Sequence, residues 1–116
     1  MSDTPWRNRT SAAQLQRQLQ RVKDLTDGAG LDRVTARLSE TDRPVEMLVN
    51  NAGFGTVGAF HSLPVERELQ EIDLNVRALV ALTHAALASM VERGSGGVLN
   101  VSSVAARQPT PMNATY

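Results

Sequence analysis

The sequence predicts an α/β fold with a parallel sheet, on the basis of two apolar runs and the segment between them. Residues 45–49 form a short apolar run after Pro44, and residues 98–102 form another. Both are too short for most helices, and their Val and Leu residues favour strands that are buried on both sides. The segment between the runs has helical periodicity. A strand, a helical crossover and a second strand predict a parallel pair with a right-handed connection.

The composition limits both the size of the fold and the expected partners. With 116 residues, the chain has room for one small domain. Its 12 basic and 12 acidic residues leave no net charge, and the basic segment 7–23 contains no aromatic residue that could stack on a base. We therefore expect neither nucleic acid nor a membrane surface as a partner.

Cysteine is absent, which excludes a disulfide framework and thiolate chemistry. The first residues do not resemble a signal peptide, so a cytoplasmic location is expected. The longest apolar patch, residues 78–90, is interrupted by polar residues and is predicted to be too short to span a bilayer. His61 and His84 have no partners at metal-ligand spacing, so no metal site is predicted.

Two helices are predicted before the first strand. We expect residues 1–9 to be disordered and a narrow amphipathic helix to begin after residues 10–11. A second helix begins after Thr26 or Asp27 and ends near Ser39. Its apolar face consists of Leu31, Val34 and Leu38.

Small polar residues follow the first strand directly. Asn50-Asn51-Ala52-Gly53 ends the apolar run. In open α/β sheets, ligands bind at the carboxyl ends of parallel strands, so these residues are candidates for ligand contact. A plain turn stabilised by the Asn side chains is the structural alternative.

The glycines at positions 53, 55 and 58 have the spacing of a dinucleotide-binding fingerprint. A true fingerprint opens directly into a helix whose first amides hold a pyrophosphate. Here residues 59–63 intervene before Pro64, and no acidic residue follows at a strand end at the required distance. We therefore interpret residues 53–58 as a flexible glycine-rich loop, with anion binding as the alternative.

The crossover is predicted to contain two helices. Residues 64–71 form a short helix that Pro64 can start, and residues 73–93 form a long helix that ends at residues 94–97. The apolar surface of the long helix is wide, which indicates burial on more than one side, under a sheet or against a partner helix. Residues 103–116 are expected to form a loop.

Several short motifs occur in a fixed order along the chain. They are Asp24-Leu25, Asn50-Asn51-Ala52-Gly53, Asn75, Asn100-Val101-Ser102-Ser103, and Tyr116 thirteen residues after Ser103. With these motifs in this order, the chain resembles the short-chain dehydrogenase/reductase family. The resemblance implies a single incomplete Rossmann-like domain over residues 1–116, with part of a doubly wound parallel sheet and flanking helices.

The resemblance implies catalytic roles for three residues. Tyr116 would be the general acid/base, Ser103 would hydrogen-bond to the substrate oxygen, and Asn75 would position a water in the proton relay. Since a free tyrosine has a pKa of about 10, Tyr116 needs a nearby positive charge to act near neutrality. Taken singly, the three have plainer explanations: a terminal residue, a local turn and a solvated helix residue.

The resemblance also implies a nicotinamide cofactor and a small carbonyl or alcohol substrate. Asp24 and Leu25 would meet the adenine ring, and its ribose would be lined by Asn50, Asn51, Ala52 and Gly53. Glycine there lets the backbone approach closely. Arg7 or Arg9 could bind a 2′-phosphate, which favours NADP over NAD. A homo-oligomer through the helix at residues 73–93 is expected.

Two elements of the family pattern are not found. They are the glycine-rich loop after a first strand and the lysine four residues beyond the tyrosine, which supply the pyrophosphate cradle and the charge that lowers the tyrosine pKa. We therefore expect a central fragment with weak or no activity. We also expect marginal, aggregation-prone folding, because strand 45–49 would have one unpaired edge. The alternatives are a non-catalytic remnant that acts through helix-mediated association, and an unrelated α/β anion-binding module.

Overall fold

The computed structural model describes residues 25–116. In chain order its elements are helix α1 (Gly28–Leu38), strand β1 (Met47–Asn50), a 3-10 turn (Phe60–Ser62), helix α2 (Val65–Ile72), a π-helical segment (Asp73–Ala78), helix α3 (Leu79–Arg93), strand β2 (Gly97–Asn100) and a second 3-10 turn (Val104–Arg107). The disorder predicted for residues 1–9 and the helix predicted after residues 10–11 lie outside the described residues. So do Arg7, Arg9 and Asp24.

Strands β1 and β2 pair in parallel, as the crossover predicted, with Met47 opposite Gly97 and Asn50 opposite Asn100. The strand bounds differ from the apolar runs at 45–49 and 98–102. The Gly97 amide donates to the Glu46 carbonyl (2.9 Å) at one end of the ladder, and the Val101 amide donates to the Asn50 carbonyl (3.0 Å) at the other. Pairing between the two strands therefore sets their ends.

The core lies between one face of this sheet and two helices. Helix α1 begins after Asp27 and ends at Leu38, as predicted, and packs against α3. The buried cluster consists of Leu38, Leu82, Ala86 and Met90, with Leu48 and Val98 of the sheet against it. The core is aliphatic because the chain has so few aromatic residues.

The opposite face of the sheet is open in the described part of the chain. Met47 is 61% exposed, Val49 is 49% exposed and Leu99 is 53% exposed. The prediction that both strands are buried on both sides is therefore wrong for residues 25–116. Successive strand side chains point to opposite faces, and α1 and α3 cover only one of them.

The two helices predicted between the strands form one continuous helical run. Helix α2 passes through the π-helical segment into α3 without a break. A π turn carries an extra residue, so it shifts the phase of the apolar pattern without ending the helix. Gly94 then ends α3 in the left-handed conformation (φ 69°), and the Ser95 amide donates to the Met90 carbonyl (3.1 Å).

This run, Val65–Arg93, is 29 residues long and apolar enough to cross a membrane by length and composition alone. The prediction that excluded a membrane span considered only the shorter patch at 78–90. A core helix passes the same test, and α3 does bury Leu82, Ala86 and Met90 against α1 and the sheet. Burial on a second side is not seen within residues 25–116, since Val80, Leu87 and Val91 are exposed.

Candidate active site

A cleft of about 570 Å³ lies at the carboxyl ends of β1 and β2. Seven of the predicted site residues line it: Asn50, Asn51, Ala52, Gly53, Asn75, Ser103 and Tyr116. The lining also includes residues that the sequence did not single out, among them Thr110 and Asn113. The cleft gathers residues from both strand ends and from the π-helical segment, because parallel strands end at the same edge of a sheet.

Leu25 lies in a second, more apolar cleft of about 380 Å³ beside β1. Val34, Leu48 and Leu74 contribute to its walls, and Asn50, Asn51 and Ala52 line both clefts. The two clefts therefore meet at the tip of β1. The contact with adenine stays a prediction for Leu25, and the same prediction for Asp24 falls outside the described residues.

Asn50 ties the strand ends together. It is buried, and its Nδ2 donates to Thr83 Oγ1 of α3 (3.0 Å) and to Asn100 Oδ1 of β2 (2.8 Å). Both amide hydrogens of Asn50 are used in these bonds. The side chain thus fixes β1 to β2 and to the helix that crosses behind them.

Asn75 holds the loop that follows β1. Its Oδ1 accepts from the Phe54 amide (3.1 Å), and its Nδ2 donates to the Phe54 carbonyl (2.8 Å). A Cβ at Gly53 would lie 3.0 Å from Asn75 Oδ1, so the absence of a side chain lets Asn75 approach the loop closely. The predicted role of Asn75 in positioning a water stays a prediction, since its side chain bonds to the loop here.

Ser103 begins the 3-10 turn after β2. Its Oγ accepts from the Ala105 amide (3.2 Å), which is the local turn considered above as the plainer explanation. Because the hydroxyl accepts in that bond, its hydrogen stays available, and no acceptor for it occurs among residues 25–116. Ser103 can therefore donate a hydrogen bond into the cleft.

Tyr116 packs against the glycine-rich loop. A Cβ at Gly55 would lie 3.2 Å from Tyr116 Cδ2, so the absence of a side chain lets the ring lie close to the backbone. The ring is half exposed and lines the same cleft as Ser103 and Asn75. A phenol that lines the same cleft as a hydroxyl donor can exchange a proton with an oxygen bound there.

Three of the amides of the glycine-rich loop are already bonded. The Phe54 amide donates to Asn75, the Thr56 amide donates to Glu71 Oε2 (3.2 Å), and the Gly58 amide donates to the Met112 carbonyl (2.8 Å). The loop continues into the 3-10 turn rather than into a helix. These contacts agree with the prediction that residues 53–58 are not a phosphate loop.

Two buried glutamates lie beneath this loop, and the sequence analysis missed them. Glu68 is 4% exposed and Glu71 is 1% exposed, both on α2. Hydrogen bonds from Thr115 and Thr56 lower the pKa of Glu68 below its ordinary value of 4.5. Its ionisation therefore stabilises the fold above about pH 4.5, and this contribution is lost as the pH falls through the lower pKa of the folded state.

Comparison with known proteins extends the family resemblance over nearly the whole chain. The model of the short chain dehydrogenase family matches residues 5–116. A short chain dehydrogenase of Pseudocercospora fijiensis is 35% identical over 95 residues, which cover 80% of this chain and 31% of the relative.

Two solved structures share this architecture. A short-chain dehydrogenase from Sphingobium yanoikuyae in complex with NADPH is 35% identical, with a TM-score of 0.73 over 79% of this chain and 36% of the other. The bulky-bulky ketone specific alcohol dehydrogenase from Comamonas testosteroni is 33% identical, with the same TM-score and coverage. The chain thus spans about a third of the length of these relatives. The predicted α/β, partial Rossmann-like architecture is confirmed, and the chain belongs to the short-chain dehydrogenase family.

Proposed function

We propose that the chain is part of the catalytic domain of an NAD(P)-dependent oxidoreductase that converts a carbonyl to an alcohol or the reverse. One observation carries the proposal. Asn75, Ser103, Tyr116 and the turn at residues 50–53 come from three separate parts of the chain and line one cleft. A plain turn or a solvated helix residue does not account for that convergence.

Tyr116 is the proton donor in reduction and the proton acceptor in oxidation. Ser103 donates its free hydroxyl hydrogen to the substrate oxygen and stabilises the negative charge that develops there. Asn75 holds the loop at Phe54, and so fixes a part of the cleft wall.

The two clefts meet at Asn50, Asn51 and Ala52, so one extended ligand can lie across both. The side chains at residues 51–53 are short, and a Cβ at Gly53 would lie only 3.0 Å from Asn75 Oδ1. We assign Leu25, together with Asp24, to the adenine ring, and Asn50, Asn51, Ala52 and Gly53 to the ribose. The cofactor supplies or accepts the hydride. NADP is favoured over NAD through Arg7 or Arg9, and the NADPH complex of the Sphingobium relative supports that preference.

The substrate class is a small-molecule carbonyl or alcohol, and the Comamonas relative, named as specific for bulky-bulky ketones, supports a carbonyl substrate. A cytoplasmic homo-oligomer is part of the proposal, with Val76, Val80, Leu87 and Val91 forming the exposed apolar face of the helical run. The balanced charge of the chain supports the absence of nucleic acid as a partner.

A second candidate function is non-catalytic association through that helical face. Lys23 is the only lysine in the chain, and neither lysine nor arginine lines the cleft formed by the described residues. A phenol without a cationic partner is a weak proton-transfer group near neutrality. On this alternative, the chain associates but does not turn over substrate.

Replacement of Tyr116 by phenylalanine separates the two candidates. If Tyr116 transfers a proton, Tyr116→Phe lowers kcat/KM for ketone reduction by about 10²- to 10⁴-fold, the usual contribution of a general acid. NADPH affinity, measured by fluorescence titration, stays unchanged. His84→Ala, on the exposed side of α3, is the control and keeps the full rate. Equal rates for the Tyr116 variant and the control would refute the catalytic assignment.

A further inference from the structure

Helix α2 has an inverted distribution of side chains. Its apolar residues Val65, Leu69 and Ile72 are exposed, whereas Glu68 and Glu71 are among the most buried residues in the described chain. Carboxylates are seldom fully buried unless they are paired, so such an arrangement requires specific partners.

Those partners come from both loops that form the cleft. Glu68 Oε1 accepts from Thr56 Oγ1 (2.5 Å), and Glu68 Oε2 accepts from Thr115 Oγ1. One carboxylate thus joins the loop after β1 to the residue next to Tyr116. Glu71 Oε2 accepts from the Thr56 amide and lies within hydrogen-bond distance of its hydroxyl (both 3.2 Å), which fixes Thr56 from the other side.

Two further bonds hold the chain just before Tyr116. Asn113 Nδ2 donates to the Thr56 carbonyl (2.7 Å), and the Met112 carbonyl accepts from the Gly58 amide (2.8 Å). Met112 adopts a left-handed conformation (φ 67°), which is uncommon for a residue with a side chain. Hydrogen bonds therefore hold Met112 and Asn113 to the glycine-rich loop and Thr115 to Glu68 of helix α2. Of these bonds, the one to Glu68 lies nearest to Tyr116 in the sequence.

We propose that Glu68 is a positioning residue for Tyr116 and acts through the hydroxyl of Thr115. Its carboxylate fixes the backbone at Thr115 relative to Thr56, so that the phenol is held against Gly55 at the edge of the cleft. The effect on turnover rests on the function proposed above, whereas the placement of the ring does not. Glu68 makes no contact with the reacting atoms and has no other role in the chemistry.

The composition of the chain allows a direct test. Tyr116 is the only tyrosine. A chain labelled with ring-¹³C tyrosine therefore gives the NMR signals of that ring alone. The test variants are Thr115→Val, which keeps the shape and removes the hydroxyl, and Glu68→Gln. The matched controls are Thr115→Ser, which keeps the hydroxyl, and Glu66→Gln, which changes an exposed glutamate on the same helix.

We expect Thr115→Val and Glu68→Gln to move the Tyr116 ring signals toward the values of an unfolded peptide, and both controls to leave them in place. If Glu68→Gln unfolds the chain, the ring signals of Thr115→Val alone test the proposal. Ring signals that stay unchanged in Thr115→Val would overturn the proposal, and so would unfolded-peptide values in the unmodified chain.

Turnover supplies a second readout. If the proposed activity holds, kcat of Thr115→Val falls about 10- to 100-fold, because a displacement of about 1 Å at the reacting group has such an effect. NADPH affinity stays the same, and Thr115→Ser restores the rate. The NMR measurement needs neither cofactor nor substrate. A chain in which the ring signals move but no reaction occurs would therefore refute the proposed function and support the positioning role.

Discussion

The carboxyl edge of the sheet and its open face are built on different principles. At the edge, Asn50, Asn75 and Glu68 each make two or more directional hydrogen bonds to segments that are distant along the chain. On the open face, Met47 and Val49 stand largely exposed although they are apolar. The geometry of the site is therefore fixed by polar contacts, while the apolar burial that stabilises the fold comes from the opposite, covered face.

Removing a side chain from the covered face should have the largest effect. Leu82→Ala deletes buried methyl groups beside Leu38 and Met90, and should lower the free energy of unfolding by about 2–5 kcal/mol. Val80→Ala, at an exposed position on the same helix, is the control and should cost less than about 0.5 kcal/mol. Urea denaturation followed by circular dichroism measures both. Similar losses in the two variants would mean that the covered face is not the stabilising one.

Removing a hydrogen-bonding side chain at the carboxyl edge should lower the free energy of unfolding less than Leu82→Ala does, but should weaken cofactor binding. Asn75→Ala leaves the Phe54 amide and carbonyl without side-chain partners, which costs about 1–3 kcal/mol if they stay shielded from water. Asn51→Ala, at an exposed position in the same cleft, is the comparison and should be nearly neutral for unfolding. NADPH fluorescence should report weaker binding in Asn75→Ala, because the loop that lines the cleft is released. A variant with unaltered binding and unaltered stability would contradict this account of the edge.

Charging the open face should have the smallest effect on unfolding. Met47→Lys places a charge where the side chain is already exposed, so the free energy of unfolding should change by less than about 0.5 kcal/mol. Self-association should fall, because lysine on an edge strand disfavours pairing with another chain. Light scattering against concentration, with Leu48→Lys on the covered face as the destabilised comparison, measures this. Unchanged self-association in Met47→Lys would show that the open face of the sheet does not mediate it.

Several elements of this fold followed from local sequence. The helix after Asp27, the stop at Gly94 and the parallel pairing of the two strands all match the prediction. Glycine at a helix end acts over a few residues, and the crossover acts through chain connectivity. Asp27 occupies the cap position, but its side chain makes no capping hydrogen bond. The break expected near Asp73 was wrong. Nothing between residues 65 and 93 interrupts a helix, and the π-helical segment shifts the apolar pattern in a way that imitates two separate helices.

The burial of Glu68 and Glu71 could not be predicted from the local sequence. Val65, Leu69 and Ile72 give the same helix an apolar side opposite the two glutamates. That pattern alone predicts the reverse orientation, with the apolar side facing inward. The reversal depends on Thr56 and Thr115, which lie 12 and 47 residues from Glu68. No local propensity reports partners at such separations.

The sequence by itself determined that the small polar residues after β1 and the hydroxyl after β2 would gather at one edge of a parallel sheet, because parallel strands deliver their carboxyl ends to the same edge. Tyr116 was expected there only from the family resemblance. Only the tertiary structure decided which of those groups stay free. The side-chain amides of Asn50 and Asn75 form hydrogen bonds within the protein, whereas the hydroxyl hydrogen of Ser103 has no acceptor among the described residues. The reason is that a hydrogen bond requires two atoms to meet at about 3 Å, and that meeting depends on how distant segments pack rather than on the identity of either residue.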